Sequence, residues 1–288
     1  MRCGLLSSLG VLCAVLVAGC SEHHGRGSDL PSASDAERHA LAEFRGWLRN
    51  RTTTQVTSRY DIYPTGRSQA GSVDVSSGGV LDFRTRTGRI TGVSNSVGAD
   101  GVRRTDRIDM IYMGRDRYEL IPVQDRNDFG GRGKPWRVRD NDDWDVWTPY
   151  ESSVGYVHDL GAARTQFRAA HRFVGMLDVT TGRTLVTSPE ARCADPVLTV
   201  TLFIDDRTGK LIRYDRHVRY PARAADHAAG GSPGTGGSSL LEAYSNFGTT
   251  MTSPVPPRAS LLAPRFGTSP GAKTFKYTIT ATPRPRGC

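Results

Sequence analysis

The apolar positions of this 288-residue chain repeat with three different periods. Residues 3–16 (CGLLSSLGVLCAVL) are apolar or small without interruption. After Ser34 the spacing is helical: Leu41, Phe44 and Leu48 follow a Ser34-x-x-Glu37 capping box, which predicts a helix that stops near Asn50. From Thr52 the period drops to two. Val56, Tyr60 and Ile62 alternate with polar residues, then Val73 and Val75, then Leu81 and Phe83 after Gly78-Gly79, then Ile90 and Val93 past a turn at Thr87-Gly88. The clearest hairpin runs through Ile108, Met110 and Tyr112, turns at 113–116 and returns through Tyr118 and Leu120. Trp136 and Val138 begin another extended piece. Helical steps return at Leu160, Ala163, Phe167, Ala170, Val174 and Leu177, which predicts a second helix over 159–177. Leu198, Val200, Leu202 and Ile204 then alternate strictly, and a turn at 206–209 leads to Ile212, Tyr214, Val218 and Tyr220. Leu241 to Phe247 reads as a strand, and Phe275, Tyr277 and Ile279 mark one more near the end.

This order predicts an α+β chain: an antiparallel sheet, apolar on one face, that can curve beneath two helices covering part of that face. Such a sheet with helices across its mouth can hold one ligand inside. The alternation points Tyr60, Ile62, Val73, Val75, Leu81, Phe83, Ile108, Met110, Tyr112, Leu198, Val200, Leu202, Ile212 and Tyr214 inward. Two readings fit these residues equally: the lining of a ligand cavity, or a core packed with no ligand. Any sheet buried on one face alternates in the same way.

The N-terminal run changes the picture most. It is too short for a comfortable membrane span and suits the apolar region of a signal peptide behind Arg2. Val17-Ala18-Gly19-Cys20 closes it, and small residues leading straight into a cysteine resemble the lipobox of bacterial lipoproteins. The resemblance implies removal of residues 1–19, attachment of diacylglycerol to Cys20, with palmitate-type acylation, and residence on the outer face of the cell membrane. The alternative is a plain signal peptide with a chance cysteine. Residues 20–33 then read as a flexible tether, 34–257 as the half-barrel domain and 258–288 as a C-terminal extension. Cys193 and Cys288 are left over after processing, as one disulfide or as two free thiols.

The net charge of +9, carried by 38 Lys+Arg against 29 Asp+Glu, adds little, because the arginines are scattered among Asp and Gly with no compact stripe. Nucleic acid is therefore not expected as a partner. No nucleophile, P-loop, zinc-protease or Cys-x-x-Cys pattern is present, so neither catalysis nor a cofactor is expected. His23 and His24 sit in the tether, His158 and His171 share no evident face, and no metal is expected at either pair. The acidic run Asp140-Asn141-Asp142-Asp143-Trp144-Asp145 lacks the glycine and distal Glu of a calcium loop. The low-complexity stretch 222–239 reads as a linker.

Taken with the lipobox, several stretches resemble the LprG and LppX type of mycobacterial, that is actinobacterial, cell-envelope lipoproteins, and more distantly the periplasmic Lol-type (LolA-like) carriers. They are the central hairpin at 107–118 with Trp136 after it, residues 202–214, and Tyr244-Ser245-Asn246-Phe247-Gly248 leading into the prolines at 254–257. The resemblance implies a curved antiparallel half-barrel sheet with helices covering its concave face, which carries a lipid or glycolipid in an apolar cavity. Residues 258–288 and the loop at 222–239 depart from the family pattern. The runner-up is a ligand-free module that docks another envelope protein.

Overall fold

Ser34 starts the first helix as its sequence predicts. Its Oγ accepts the Glu37 N–H at 3.2 Å and the Glu37 carboxylate accepts the Ser34 N–H at 2.8 Å, closing the capping box on α1 (Asp35–Arg49). The helix buries Ala40, Leu41, Phe44 and Leu48 on one stripe and ends at Asn50, whose N–H bonds to the Gly46 and Trp47 carbonyls. The structure, a computed structural model, describes residues 30–62, 71–98, 100–121, 135–141, 147–165, 168–186, 196–220 and 237–252. The chain divides into two units, Met1–Pro31 and Ser32–Cys288, and every element named here belongs to the second.

The strands are β1 (Thr53–Ile62), β2 (Val73–Asp82), β3 (Thr87–Val97), β4 (Arg103–Met113), β5 (Asp116–Leu120) and β6 (Trp136–Asp140). A short helix α2 (Thr148–Ser152) follows, then β7 (His158–Thr165), β8 (Arg168–Asp178), β9 (Arg183–Leu185), β10 (Val197–Asp205), β11 (Leu211–Tyr220) and β12 (Ser238–Ser245). They form one antiparallel sheet in the order β6-β5-β4-β3-β2-β1-β12-β11-β10-β8-β7, with β9 on the far end of β8. Among the described residues β6 and β7 each pair on one side only and form the two edges, so the sheet is open rather than a closed barrel.

The sheet bends around α1. Glu37 of the helix accepts the Asp159 N–H of β7 at 3.1 Å, while Trp47 meets Phe83, just past β2, at a ring separation of 6.0 Å. Six strand spacings separate β7 from β2, about 29 Å on a flat sheet. The ten residues from Glu37 to Trp47 span only about 15 Å of helix. Glycine permits the bend: a Cβ at Gly79 would lie 1.8 Å from the Arg89 carbonyl oxygen, and one at Gly92 2.2 Å from that of Ser76. Gly78-Gly79 thus sits inside a continuous β2 and breaks nothing.

The helix predicted over 159–177 is instead the hairpin β7–β8. Gly161 has φ +81°, its N–H bonds to Asp159 Oδ1 at 2.7 Å, and the β7–β8 register shifts there. The buried Ala170 and Leu177 satisfy the helical spacing, but Phe173 rather than Val174 faces the core. Seven apart, Ala170 and Leu177 would share a helix face but lie on opposite faces of β8, where pairing with β10 selects period two and aligns Phe173 with Leu177. Among the described residues helix cover comes from α1 and from α2, a five-residue turn that carries Pro149 as its second residue. Cys20, Cys193, Cys288, residues 142–145 of the acidic run, most of the loop at 222–239 and the strand expected at 275–279 lie outside the described residues.

Candidate functional site: the inner face of the sheet

Residues directly opposite each other on antiparallel strands share a face. One row crosses the sheet as Phe173, Leu202, Tyr214, Tyr244, Val56, Gly79, Ile90, Met110, Glu119 and Arg137. Phe44 of α1 packs on Tyr214 at 5.3 Å, so this face is the inner one. Tyr60, Ile62, Val73, Val75, Leu81, Ile108, Met110, Tyr112, Leu198, Val200, Leu202 and Tyr214 all fall on it. Phe83, just past β2, packs against the same core. Ile212 is the exception: a bulge beside Phe203 and Ile204 sets Leu211 opposite Ile204 and into the core, leaving Ile212 half-buried.

These residues do two different things. Leu81, Leu198, Val200, Leu202 and Tyr214 are buried in the core with Leu41, Phe44 and Leu48. Phe83, Met110 and Tyr112 pack at its margin. Tyr60, Ile62, Val73, Val75 and Ile108 stay half-buried outside that cluster, the first four toward the far ends of β1 and β2 and Ile108 midway along β4. The inner face is therefore a sealed core beside a less covered apolar strip.

A charged network closes the core where the two meet. Glu151 of α2 has no exposed side-chain surface and holds Arg51 at 2.6 Å and Arg216 at 3.1 Å. Arg216 also donates to Glu242, by Nε at 2.8 Å and again by its terminal nitrogen, and to the Tyr244 hydroxyl at 2.7 Å. That hydroxyl donates to Glu242 at 3.1 Å. The Arg51 guanidinium lies 4.9 Å from the rings of both Trp47 and Phe83, and Tyr214 stacks on Tyr244 at 4.6 Å. Burial pushes both tyrosine hydroxyls well above the usual phenol range. Burial pulls the Arg216 guanidinium down, but Glu242, Tyr244 and Glu151 hold it well above its ordinary value. Two guanidiniums against two carboxylates leave the network neutral. Tyr214 OH is buried with no hydrogen-bond partner among the described residues.

A second charged group lies on the same face near the β6 edge. Glu119 stands 2.7 Å from Arg117 Nε, 2.6 Å from Arg137 Nε and 3.2 Å from Arg139 Nε. Neither charged group forms a recognisable sequence motif. Their signal is a charge in an apolar phase: Arg216 alternates in step with Tyr214 and Val218, and Glu242 with Leu240 and Tyr244.

Three of the described histidines serve the frame. His158 Nδ1 is 3.4 Å from Glu37, His171 Nδ1 is 2.9 Å from Asp206, and His39 donates to the Gly209 carbonyl at 2.7 Å. Among the described residues no group of three or more His, Cys, Asp or Glu is placed to hold a metal ion. Also among them, no helix is long and apolar enough to cross a membrane.

No protein-family profile matches the chain, and no curated protein matches it. Solved structures do. LprF from Mycobacterium bovis is 13% identical at TM-score 0.43, over 78% of this chain and 99% of that one. A DUF1329 family protein from Desulfovibrio piger is 10% identical at TM-score 0.22, over 76% and 96%. A putative outer membrane lipoprotein-sorting protein domain from Vibrio parahaemolyticus is 8% identical at TM-score 0.20, over 74% and 93%. At such identities and TM-scores these neighbours assign no residue a role.

Proposed function

We propose that this is an exported envelope lipoprotein, anchored through Cys20, that carries an acyl-chain amphiphile on the inner face of its half-barrel. The observation that carries the reading is the apolar strip of Tyr60, Ile62, Val73, Val75 and Ile108, half-buried beside a core that α1 already fills. A tail laid there is held by burial alone, at about 0.8 kcal/mol per methylene, and no bond is made or broken.

Native mass spectrometry of residues 21–288, exported without Cys20 from a related bacterial host, tests it. The expected result is a mass excess that resolves into a lipid on denaturation. A bare polypeptide mass in repeated preparations would turn the reading to a module that docks an envelope protein. Val75→Arg places a charge on the strip and is expected to strip the cargo while the fold persists. Leu81→Arg reports on stability instead, since Leu81 belongs to the core.

A further inference from the structure

Three arginines converge on a single carboxylate at one end of the inner face. Glu119 and Arg117 belong to β5, Arg137 and Arg139 to β6, and the register fixes their direction. Met110, at the core margin, is directly opposite Glu119, which is opposite Arg137; Tyr112, also at that margin, is opposite Arg117, which is opposite Arg139. The charges therefore share a face with the apolar strip, whose member Ile108 lies two residues before Met110 on β4.

The cluster lies at the border between protein and water. Glu119 is 13% exposed, Arg117 18% and Arg137 21%, whereas Arg139 is 46% exposed. Partial burial strengthens a charge-assisted bond, and the planar guanidinium fork fits the paired oxygens of a phosphate or carboxylate. Each of the three brings its Nε to Glu119. A guanidinium carries five N–H donors, so its terminal nitrogens take an anion's oxygens beside, or in exchange for, the partners they already hold.

We propose that the arginine cluster around Glu119 is a headgroup site, which selects amphiphiles whose head carries a phosphate or carboxylate. The inference rests on the amphiphile reading above and adds the ligand's charge to it. The tail runs from Ile108 over Gly92, which offers no side chain, toward Val75, and the head meets Arg137 and Arg139, so one molecule satisfies the apolar and the charged parts of the face.

The test is competition binding to residues 21–288 by three probes with the same oleoyl chain: lysophosphatidic acid, lysophosphatidylcholine and monoacylglycerol. Inorganic phosphate alone is the fourth arm. The expected result is that lysophosphatidic acid binds about tenfold more tightly than monoacylglycerol, with the difference shrinking in high salt. Arg139→Gln and Arg137→Gln should each remove most of that preference, with thermal melts showing that the variants fold. Arg59→Gln, the same charge change on the outer face, should leave the preference intact. Equal affinity for all three amphiphiles would mean that the cluster only staples β5 to β6, overturning the headgroup site while the amphiphile reading stands. A preference that survives both arginine variants would place the head elsewhere. Phosphate bound with no amphiphile would make the cluster a free-anion site, and no binding at all would sink both readings.

Discussion

Glu151 keeps its carboxylate fully out of water between Arg51 and Arg216. Its removal would leave two guanidiniums buried against aromatic rings with part of their compensating charge gone, and breaking such a network from one side is the costly direction. Glu151→Ala is expected to lower stability by about 3 kcal/mol or more, read as a lower urea midpoint with an unchanged slope. An unaltered midpoint would show that the network contributes nothing. Glu37 works through pH. Burial raises its pKa, but the Ser34 and Asp159 N–H groups and the Ser34 hydroxyl outweigh that and hold it below the ordinary 4.5. A depressed carboxylate contributes stability above its unfolded pKa and loses it as pH falls through the folded one. Glu37→Gln should therefore cost about 1 kcal/mol at neutral pH and converge on the parent in acid. Thermal melts at pH 7 and pH 3 read the difference, and parallel losses at both would refute the linkage.

Gly79 and Gly92 decide at the level of the element whether β2 and β3 can bend. A methyl group at Gly79 meets the Arg89 carbonyl oxygen at 1.8 Å, so β3 must shift or the bend must open. Gly79→Ala is expected to cost about 2 kcal/mol, whereas the same change at the open position Gly46 should be neutral or favourable. Paired melting curves check it, and equal effects at the two sites would mean that the close approach is not what Gly79 serves. The misread hairpin belongs to this scale as well. Residues 159–177 carry a fair helical stripe, yet Gly161 and the strand partner β10 outweigh it, because local spacing alone does not see which backbone is waiting to be paired. The bulge that exchanges Leu211 for Ile212 is invisible to alternation for the same reason.

For the molecule as a whole, the proposed function joins a proposed anchor at Cys20 to a face of the fold. If Cys20 carries the lipid, Cys20→Ala should move the protein from the membrane pellet to the soluble fraction; a variant that stays in the pellet is held by something else. How much was legible beforehand follows from what each feature depends on. The capping box on α1, the hairpin at 108–120 and the inward phase of Tyr60, Val75, Met110 and Leu202 were set by the sequence, because caps, turns and period two are properties of neighbouring residues. Only tertiary structure divided that inward set into a core under α1 and a strip beyond it, since the division depends on where a 15-residue helix lies across the sheet. The charged groups depend on it in the same way. Arg51 and Glu151 are 100 residues apart, and Arg216 and Glu242 meet only because β11 and β12 pair, so no local pattern could place them together.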